Sequence, residues 1–138
     1  MKFVVEHSVS PALTQALAAL AKLDGHEILH LRVHYDQNTL DPVWLRGLGQ
    51  REPDVIVVTA DPRISKSPHE RAAWLESGLT IVFLRSFADL SIWDQAAKLV
   101  KWWPDIVSHT QRAQPGTGFL VSVQGKIERL RPPGATSH

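Results

Sequence analysis

Short apolar runs alternate with helical repeats along most of the chain. Four runs rich in branched side chains are typical of β-strands. They are residues 3–5, 28–33, 55–58 and 81–84. The first, third and fourth are continuously apolar, which predicts central strands covered on both faces. The second alternates towards its end, with His30 and Arg32 on one side, so we expect it nearer an edge of the sheet.

Helical repeats separate these strands. Ser10 and Pro11 predict a helix start, because an N-cap serine precedes proline at the first helical position. Apolar residues then recur at helical spacing until Gly25, which is a stop signal. Three further helices are predicted to begin near Asp41, Ser67 and Ser91. Pro104 is expected to end or kink the last of them, because proline lacks the amide donor.

The last part of the chain has a different pattern. Residues 119–123 and 126–130 flank a turn that contains Gly125, which predicts a β-hairpin. Four strand–helix pairs followed by a hairpin predict an α/β fold with a central, mainly parallel sheet flanked by helices. We expect residues 1–130 to form a single domain and residues 131–138, which lack apolar periodicity, to form a flexible tail.

Composition narrows the classes of function. The chain has 138 residues, 43% of them hydrophobic and 21% charged, which excludes intrinsic disorder. It has no cysteine, which excludes disulfides, thiolate zinc sites and cysteine nucleophiles. Because the net charge is only +1, binding to nucleic acid would require a local basic patch. No apolar run approaches the ~20 residues of a membrane span, so we expect a cytoplasmic protein without membrane contact.

Carboxylates follow each predicted strand at its carboxyl end, where parallel sheets bind their ligands. Glu6, Asp41 and Asp61 follow the first three strands, and Asp89 and Asp94 follow the fourth. Converging carboxylates repel one another, and a hard divalent cation such as Mg²⁺ or Mn²⁺ relieves that repulsion. A cation held in this way can activate water and offset the charge of a phosphodiester, so the pattern favours metal-dependent phosphoryl chemistry.

A purely structural alternative accounts for two of these acids. Asp41 and Asp61 each precede a proline, and aspartate in that position commonly caps a helix or opens a turn. As caps, they need no metal. Glu6 fits this alternative less well, because a carboxylate directly after a buried strand is costly unless it is solvated, paired or bound to a metal.

A basic segment follows the third strand. Arg63, Lys66 and Arg71 lie close in sequence to Asp61, with Glu70 as the one compensating acid. Basic side chains beside a carboxylate cluster suit a phosphate backbone. A solvated loop with ordinary surface charges explains the same residues equally well.

The five tryptophans have two interpretations. Stacking on nucleic-acid bases is one of them. However, Trp93 and Trp103 fall on a helical stripe with apolar neighbours, so packing in the core is preferred, and the same holds for Trp44. Trp102 falls on a second apolar stripe of the same helix, and a helix this apolar is either buried or bound to a partner.

Several segments of the chain resemble the PIN-like nuclease domains, and more narrowly their toxin-like branch. They are residues 1–11 (MKFVVEHSVSP), 41–45 (DPVWL) and 57–64 (VVTADPRI). The shared features are an opening acid before a Ser-Pro segment and a Thr-x-Asp after the third strand. The stretch from Arg63 to Arg71 and a late Trp-Pro at Trp103 match the same branch, so the resemblance extends from Lys2 to about Leu130.

The resemblance implies a three-layer fold and a function. Members are typically Mg²⁺- or Mn²⁺-dependent ribonucleases, and many are toxins of bacterial toxin–antitoxin pairs. The implied substrate is RNA, and the implied partners are an antitoxin protein and a second copy of the chain. By position, the implied catalytic and metal-binding acids are Glu6, Asp41 and Asp61, with Asp89 or Asp94 as a fourth. The residues implied to face the RNA are Arg63, Lys66 and Arg71.

The chain departs from the family at its first acid. The family usually has aspartate there, whereas this chain has Glu6 followed by His7. The longer side chain displaces the ligand oxygens by roughly a bond length, and Mg²⁺ demands near-ideal octahedral geometry. The alternative function is therefore a catalytically weak or inactive PIN-like module that binds a protein partner.

Overall fold

Parallel strands form the centre of the fold, as the apolar runs predict. The computed structural model describes residues 1–130, and the predicted flexible tail at residues 131–138 lies outside the described residues. The strands are β1 (Lys2–Val5), β2 (Glu27–His30), β3 (Ile56–Thr59), β4 (Thr80–Leu84), β5 (Gly118–Val121) and β6 (Ile127–Leu130). The α-helices are α1 (Pro11–Ala21), α2 (Asp41–Arg51), α3 (Arg63–Lys66), α4 (Pro68–Ser77) and α5 (Ile92–Gln111).

The strands form one mixed sheet in the order β2-β1-β3-β4-β5-β6. All neighbouring strands are parallel except β5 and β6, which form the predicted antiparallel hairpin. Gly125 lies in the hairpin turn with a φ of 87°, a conformation that favours glycine. β2 lies at the edge of the sheet, as its alternating pattern predicts, and the carboxyl ends of β1 and β3 lie side by side.

Helices cover both faces of the sheet, which confirms the three-layer fold. One core lies between the sheet and helices α1 and α5, and it includes Phe3, Leu13 and Trp103. The other lies between the sheet and helices α2 and α4, and it includes Trp44 and Trp74. Because both faces are covered, β1, β3 and β4 are buried along nearly their whole length.

The second strand is shorter than the predicted residues 28–33. It ends at His30, and a 3-10 turn follows at Leu31–Val33. The His30 side chain caps this turn, because its Nδ1 accepts a hydrogen bond from the Arg32 amide at 3.1 Å. Leu31 is fully buried at the turn. An alternating pattern alone did not distinguish this capped turn from three more strand residues.

The last helix passes through Pro104 and ends at Gln111, so of the two predicted effects of this proline, an end or a kink, the end is wrong. The buried face of α5 continues on both sides of the proline, with Trp102 before it and Ile106 after it. The proline removes one helical hydrogen bond, whereas burial of the flanking side chains stabilises the helix by about 1.5–3 kcal/mol for each large apolar side chain.

Trp93 is the second correction in α5. Its side chain is 82% exposed, although a place in the core was predicted. Trp93 lies nine residues before the buried Trp102, which is about two and a half helical turns and therefore the opposite side of the helix. Trp44 and Trp103 are buried, as predicted. Between residues 1 and 130, no helix combines the length and apolarity that crossing a membrane requires.

Candidate active site

A cleft of about 590 Å³ opens where the ends of β1 and β3 meet the start of α2. Glu6, Asp41 and Asp61 all line this cleft, together with Arg63. Because β1 and β3 are parallel neighbours, their carboxyl ends place Glu6 and Asp61 on the same edge of the sheet. The structure therefore brings three of the acids from the strand ends into one cavity, which we call the acidic cleft.

Glu6 directly continues β1, and its amide donates a hydrogen bond to the carbonyl of Val58 at 2.9 Å. The residue is only 5% exposed. Its Oε1 accepts hydrogen bonds from the Thr59 hydroxyl at 2.7 Å, from the Ser8 amide at 3.1 Å and from the Ser8 hydroxyl. These bonds offset part of the cost of burying a carboxylate.

Ser8 and Thr59 tie Glu6 to the loop that carries Asp61. The Ser8 hydroxyl accepts a hydrogen bond from the Ala60 amide at 2.9 Å, and the Thr59 hydroxyl accepts one from the Asp61 amide at 3.0 Å. A hydroxyl has a single proton, and both hydroxyls donate theirs to Glu6. Sequence analysis assigned no role to either residue. A threonine that ends an otherwise apolar strand was the available signal.

Asp61 is held by Arg63. The arginine Nε lies 3.1 Å from Oδ1 and 3.0 Å from Oδ2, and Nη2 lies 2.7 Å from Oδ2. The Arg63 amide also donates to Oδ1 at 3.0 Å, so Asp61 does open a turn, as the structural alternative predicts. Burial raises the pKa of Asp61, but the hydrogen bonds and charge of Arg63 outweigh it and hold that pKa below its ordinary value.

Asp41 is the first residue of α2, but its side chain does not cap the helix. Its Oδ1 accepts a hydrogen bond from the indole Nε1 of Trp44 at 2.9 Å, and Trp44 is fully buried. The capping interpretation is therefore wrong for Asp41. Burial raises its pKa, the Trp44 hydrogen bond lowers it, and the carboxylates of Asp61 and Glu6 raise it further, so that the net shift is upward.

The remaining candidate residues lie outside the acidic cleft. Lys66 and Asp89 line a second cleft of about 560 Å³, which shares Asp61 with the acidic cleft. Asp94 is exposed in the first turn of α5, and Arg71 is exposed on α4. The structure therefore groups Arg63 with the acids of the acidic cleft, whereas Lys66 lies in the neighbouring cleft, which Asp61 also lines.

The residues of the acidic cleft fit a hard divalent cation by their chemistry. Burial is the largest cause that raises the pKa of Asp41, and the carboxylates of Asp61 and Glu6 raise it further; a bound cation would relieve the repulsion among these carboxylates. Across residues 1–130, no group of three or more Asp, Glu and His side chains is arranged around a single metal position. Because Arg63 engages both oxygens of Asp61, a cation could bind through Asp61 only after Arg63 moves away.

A mainly parallel sheet with a cleft at its carboxyl edge that is lined by acids defines the class of the protein as an α/β domain with an acidic site. A family model described as PIN like domain matches residues 1–86, which include Glu6, Asp41 and Asp61. The chain belongs to the PIN-like domain family, whose members are generally nucleases and typically use divalent metals. No curated protein and no solved structure matches the chain.

Asp41→Asn is expected to stabilise the protein at pH 7. A carboxylate whose folded-state pKa is raised costs stability when it is ionised, and the cost disappears as the pH falls through that pKa. Asparagine removes the charge and keeps an oxygen that accepts from Trp44. We expect the melting temperature to rise by roughly 1–3 °C at pH 7 and the difference to narrow towards pH 4.

Thermal unfolding at several pH values measures this effect. Asp54→Asn is the matched control, because it removes the same charge from an exposed position outside the acidic cleft. We expect the melting temperature of that control to equal that of the unsubstituted protein. A lower melting temperature for Asp41→Asn at pH 7 would contradict the upward shift of the Asp41 pKa that burial and, to a lesser extent, the neighbouring carboxylates cause.

Proposed function

We propose that the protein is a metal-dependent endoribonuclease that hydrolyses RNA phosphodiesters at the acidic cleft. We further propose that it is the toxin of a toxin–antitoxin pair, whose antitoxin is a protein that covers this cleft. The observation that carries the proposal is the convergence of Glu6, Asp41 and Asp61 in one cavity of a PIN-like domain.

Glu6, Asp41 and Asp61 are the residues proposed to hold Mg²⁺ or Mn²⁺. Among residues 1–130, Oε2 of Glu6 and Oδ2 of Asp41 accept no hydrogen bond, so each acid keeps an oxygen for a ligand. Lewis-acid activation of water and neutralisation of phosphodiester charge are the chemistry that the cation supplies when bound. The hydrogen bonds of Ser8 and Thr59 orient Glu6 for this role.

Three basic residues are proposed to contact the RNA. Arg63 lines the acidic cleft and its side chain is 69% exposed, so the guanidinium can turn from Asp61 to a phosphate. Lys66 lies on the far side of Asp61 in the second cleft. Arg71 is exposed on α4, the helix that follows them. Release of Arg63 from Asp61 frees one carboxylate for the cation and one guanidinium for the substrate.

Calorimetric titration with Mg²⁺ and with Mn²⁺ tests the proposal before any substrate is known. We expect the protein to bind one or both metals and Glu6→Gln to bind them at least ~10-fold more weakly. Glutamine keeps the size of Glu6 and an oxygen that accepts from Ser8 and Thr59, so the fold should be retained.

Glu128→Gln is the control for this titration. Glu128 is an exposed residue of β6 outside the acidic cleft, and its loss should leave metal affinity unchanged. If the unsubstituted protein binds neither metal, the acids have only the structural hydrogen bonds described above, and the metal-dependent nuclease is the wrong proposal.

A second candidate function, a PIN-like module that binds a protein and cleaves nothing, is favoured by the exposed side of α5. Trp93 is 82% exposed there, and Ile92 and Val100 are 44% and 38% exposed. Large apolar side chains grouped in water are typical of a contact surface. This candidate predicts a stable complex with a partner and no response to metal. Metal-dependent cleavage by a protein that purifies alone would contradict it.

A further inference from the structure

The second cleft lies between α3 and the β5–β6 hairpin, and we call it the hairpin cleft. Its volume of about 560 Å³ is within the range of roughly 300–1,000 Å³ that is typical of ligand sites. Its apolar lining includes Phe83 on β4, Leu120 on β5 and Leu130 on β6. Phe83 is buried, whereas both leucines are half-buried and present apolar surface to the cavity.

Two cations stand on the rim of the hairpin cleft. Lys66 is the last residue of α3, Arg85 directly follows β4, and both are exposed. In the described part of the chain, neither side chain forms an ion pair. Asp89 is the one acid on the rim without a partner there, because Arg63 neutralises Asp61. The lining itself holds two basic and two acidic side chains, and the charge surrounding the cleft is +1 once Arg63, which pairs with Asp61 from the acidic cleft, is counted.

The hairpin cleft adjoins the acidic cleft. Asp61 lines both cavities, so a polymer that passes this carboxylate can have one part in each of them. An extended polymer that alternates phosphates and flat apolar groups matches this succession of surfaces. Single-stranded nucleic acid is such a polymer, because its unstacked bases expose apolar faces that a duplex hides.

We propose that the hairpin cleft binds the nucleotide of a single-stranded RNA that adjoins the phosphodiester in the acidic cleft. The base lies against Leu120 and Leu130, and the phosphate of that nucleotide lies against Lys66 and Arg85. This inference rests on the proposed ribonuclease function, and it assigns to Arg85 and to the hairpin leucines a role in substrate binding.

The test separates binding from cleavage. The affinity for a fluorescein-labelled 12-nucleotide single-stranded RNA of mixed sequence is measured by anisotropy in EDTA, so that no divalent metal is present. The double variant Lys66→Met/Arg85→Gln is compared with Lys101→Met/Arg51→Gln, which removes the same two charges from exposed positions on α5 and α2. Thermal unfolding of both variants checks that they are folded.

We expect the hairpin-cleft variant to bind at least ~10-fold more weakly, and the slope of log affinity against log salt to fall by about 1–2. The control variant should lose less than ~3-fold. Leu120→Ser should also weaken binding, by ~3- to 10-fold but with an unchanged salt slope, because it removes apolar contact and no charge.

Cleavage assays with Mn²⁺ on the same proteins distinguish the two proposals. If the unsubstituted protein cleaves RNA but the two double variants bind RNA equally well, the hairpin-cleft assignment is overturned and the proposed nuclease activity is retained. If RNA binding depends on Lys66 and Arg85 but the RNA is never cleaved, the proposed nuclease activity is overturned and the hairpin cleft is retained as a binding site. Absence of any RNA binding in EDTA overturns the hairpin-cleft assignment.

Discussion

Asp61→Asn is expected to lower metal-dependent RNA cleavage by a factor on the order of 10²–10³. Asp61 is proposed to hold the cation, and it is the one acid that lines both clefts. Asparagine has nearly the same shape, and its oxygen can still accept the hydrogen bond of the Arg63 amide. It lacks the negative charge with which a carboxylate attracts a divalent cation and offsets its charge.

The fold should survive this substitution. The Arg63 side chain is 69% exposed and the Asp61 side chain 13%, so the guanidinium stays hydrated when the ion pair is lost, and asparagine leaves no buried charge without a partner. The loss of activity can therefore be measured on a folded protein, by the initial rate of cleavage of a labelled RNA with saturating Mn²⁺ and by thermal unfolding of the same sample.

Asp105→Asn is the matched control for Asp61→Asn. Asp105 is an exposed residue of α5 outside both clefts, and its substitution should change the cleavage rate by less than ~2-fold. If Asp61→Asn cleaves at the rate of the unsubstituted protein, then Asp61 only opens the turn before α3, and the metal site is wrongly assigned.

The position of Glu6 and Asp61 at one edge of the sheet follows from topology. Residues that directly follow neighbouring parallel strands must meet at one edge, so the acids after β1 and β3 lie together whatever the details of packing. Asp89 also follows a strand, but β4 is one strand further along the sheet and Asp89 lies five residues after it. The chain turns at Ser86, whose φ is 55°, and Asp89 lines the hairpin cleft instead.

Side-chain pairing at the site could not be predicted in the same way. From the sequence alone, the Arg63 side chain could equally face solvent or a ligand. The conformation of the turn in the structure shows that it instead donates hydrogen bonds to Asp61. Ser8 and Thr59 are 51 positions apart in the chain, and each donates a hydroxyl hydrogen bond to Glu6. That both reach the same carboxylate depends on the register of β1 and β3. Periodicity predicts which residues lie on a strand but not which strands pair.

Trp44→Ala is expected to reduce the free energy of unfolding by about 3–5 kcal/mol. Trp44 is fully buried in the core between the sheet and helices α2 and α4, and alanine would leave a large cavity there. Trp93→Ala is a matched control, because the same substitution removes a side chain that is 82% exposed. It should change stability by no more than about 0.5 kcal/mol. Denaturant unfolding measures both values.

Trp44→Phe separates the core role of this tryptophan from its role at the site. Phenylalanine retains much of the buried volume but removes the Nε1 donor that holds Asp41 at 2.9 Å. Because that hydrogen bond lowers the pKa of Asp41, its loss should move this pKa further upward. If Asp41 is a metal ligand, Trp44→Phe should weaken Mn²⁺ binding in calorimetry by ~3- to 10-fold while the protein remains folded. Unchanged Mn²⁺ affinity in that variant would show that the tryptophan supports only the core, and that the cation does not depend on how Asp41 is oriented.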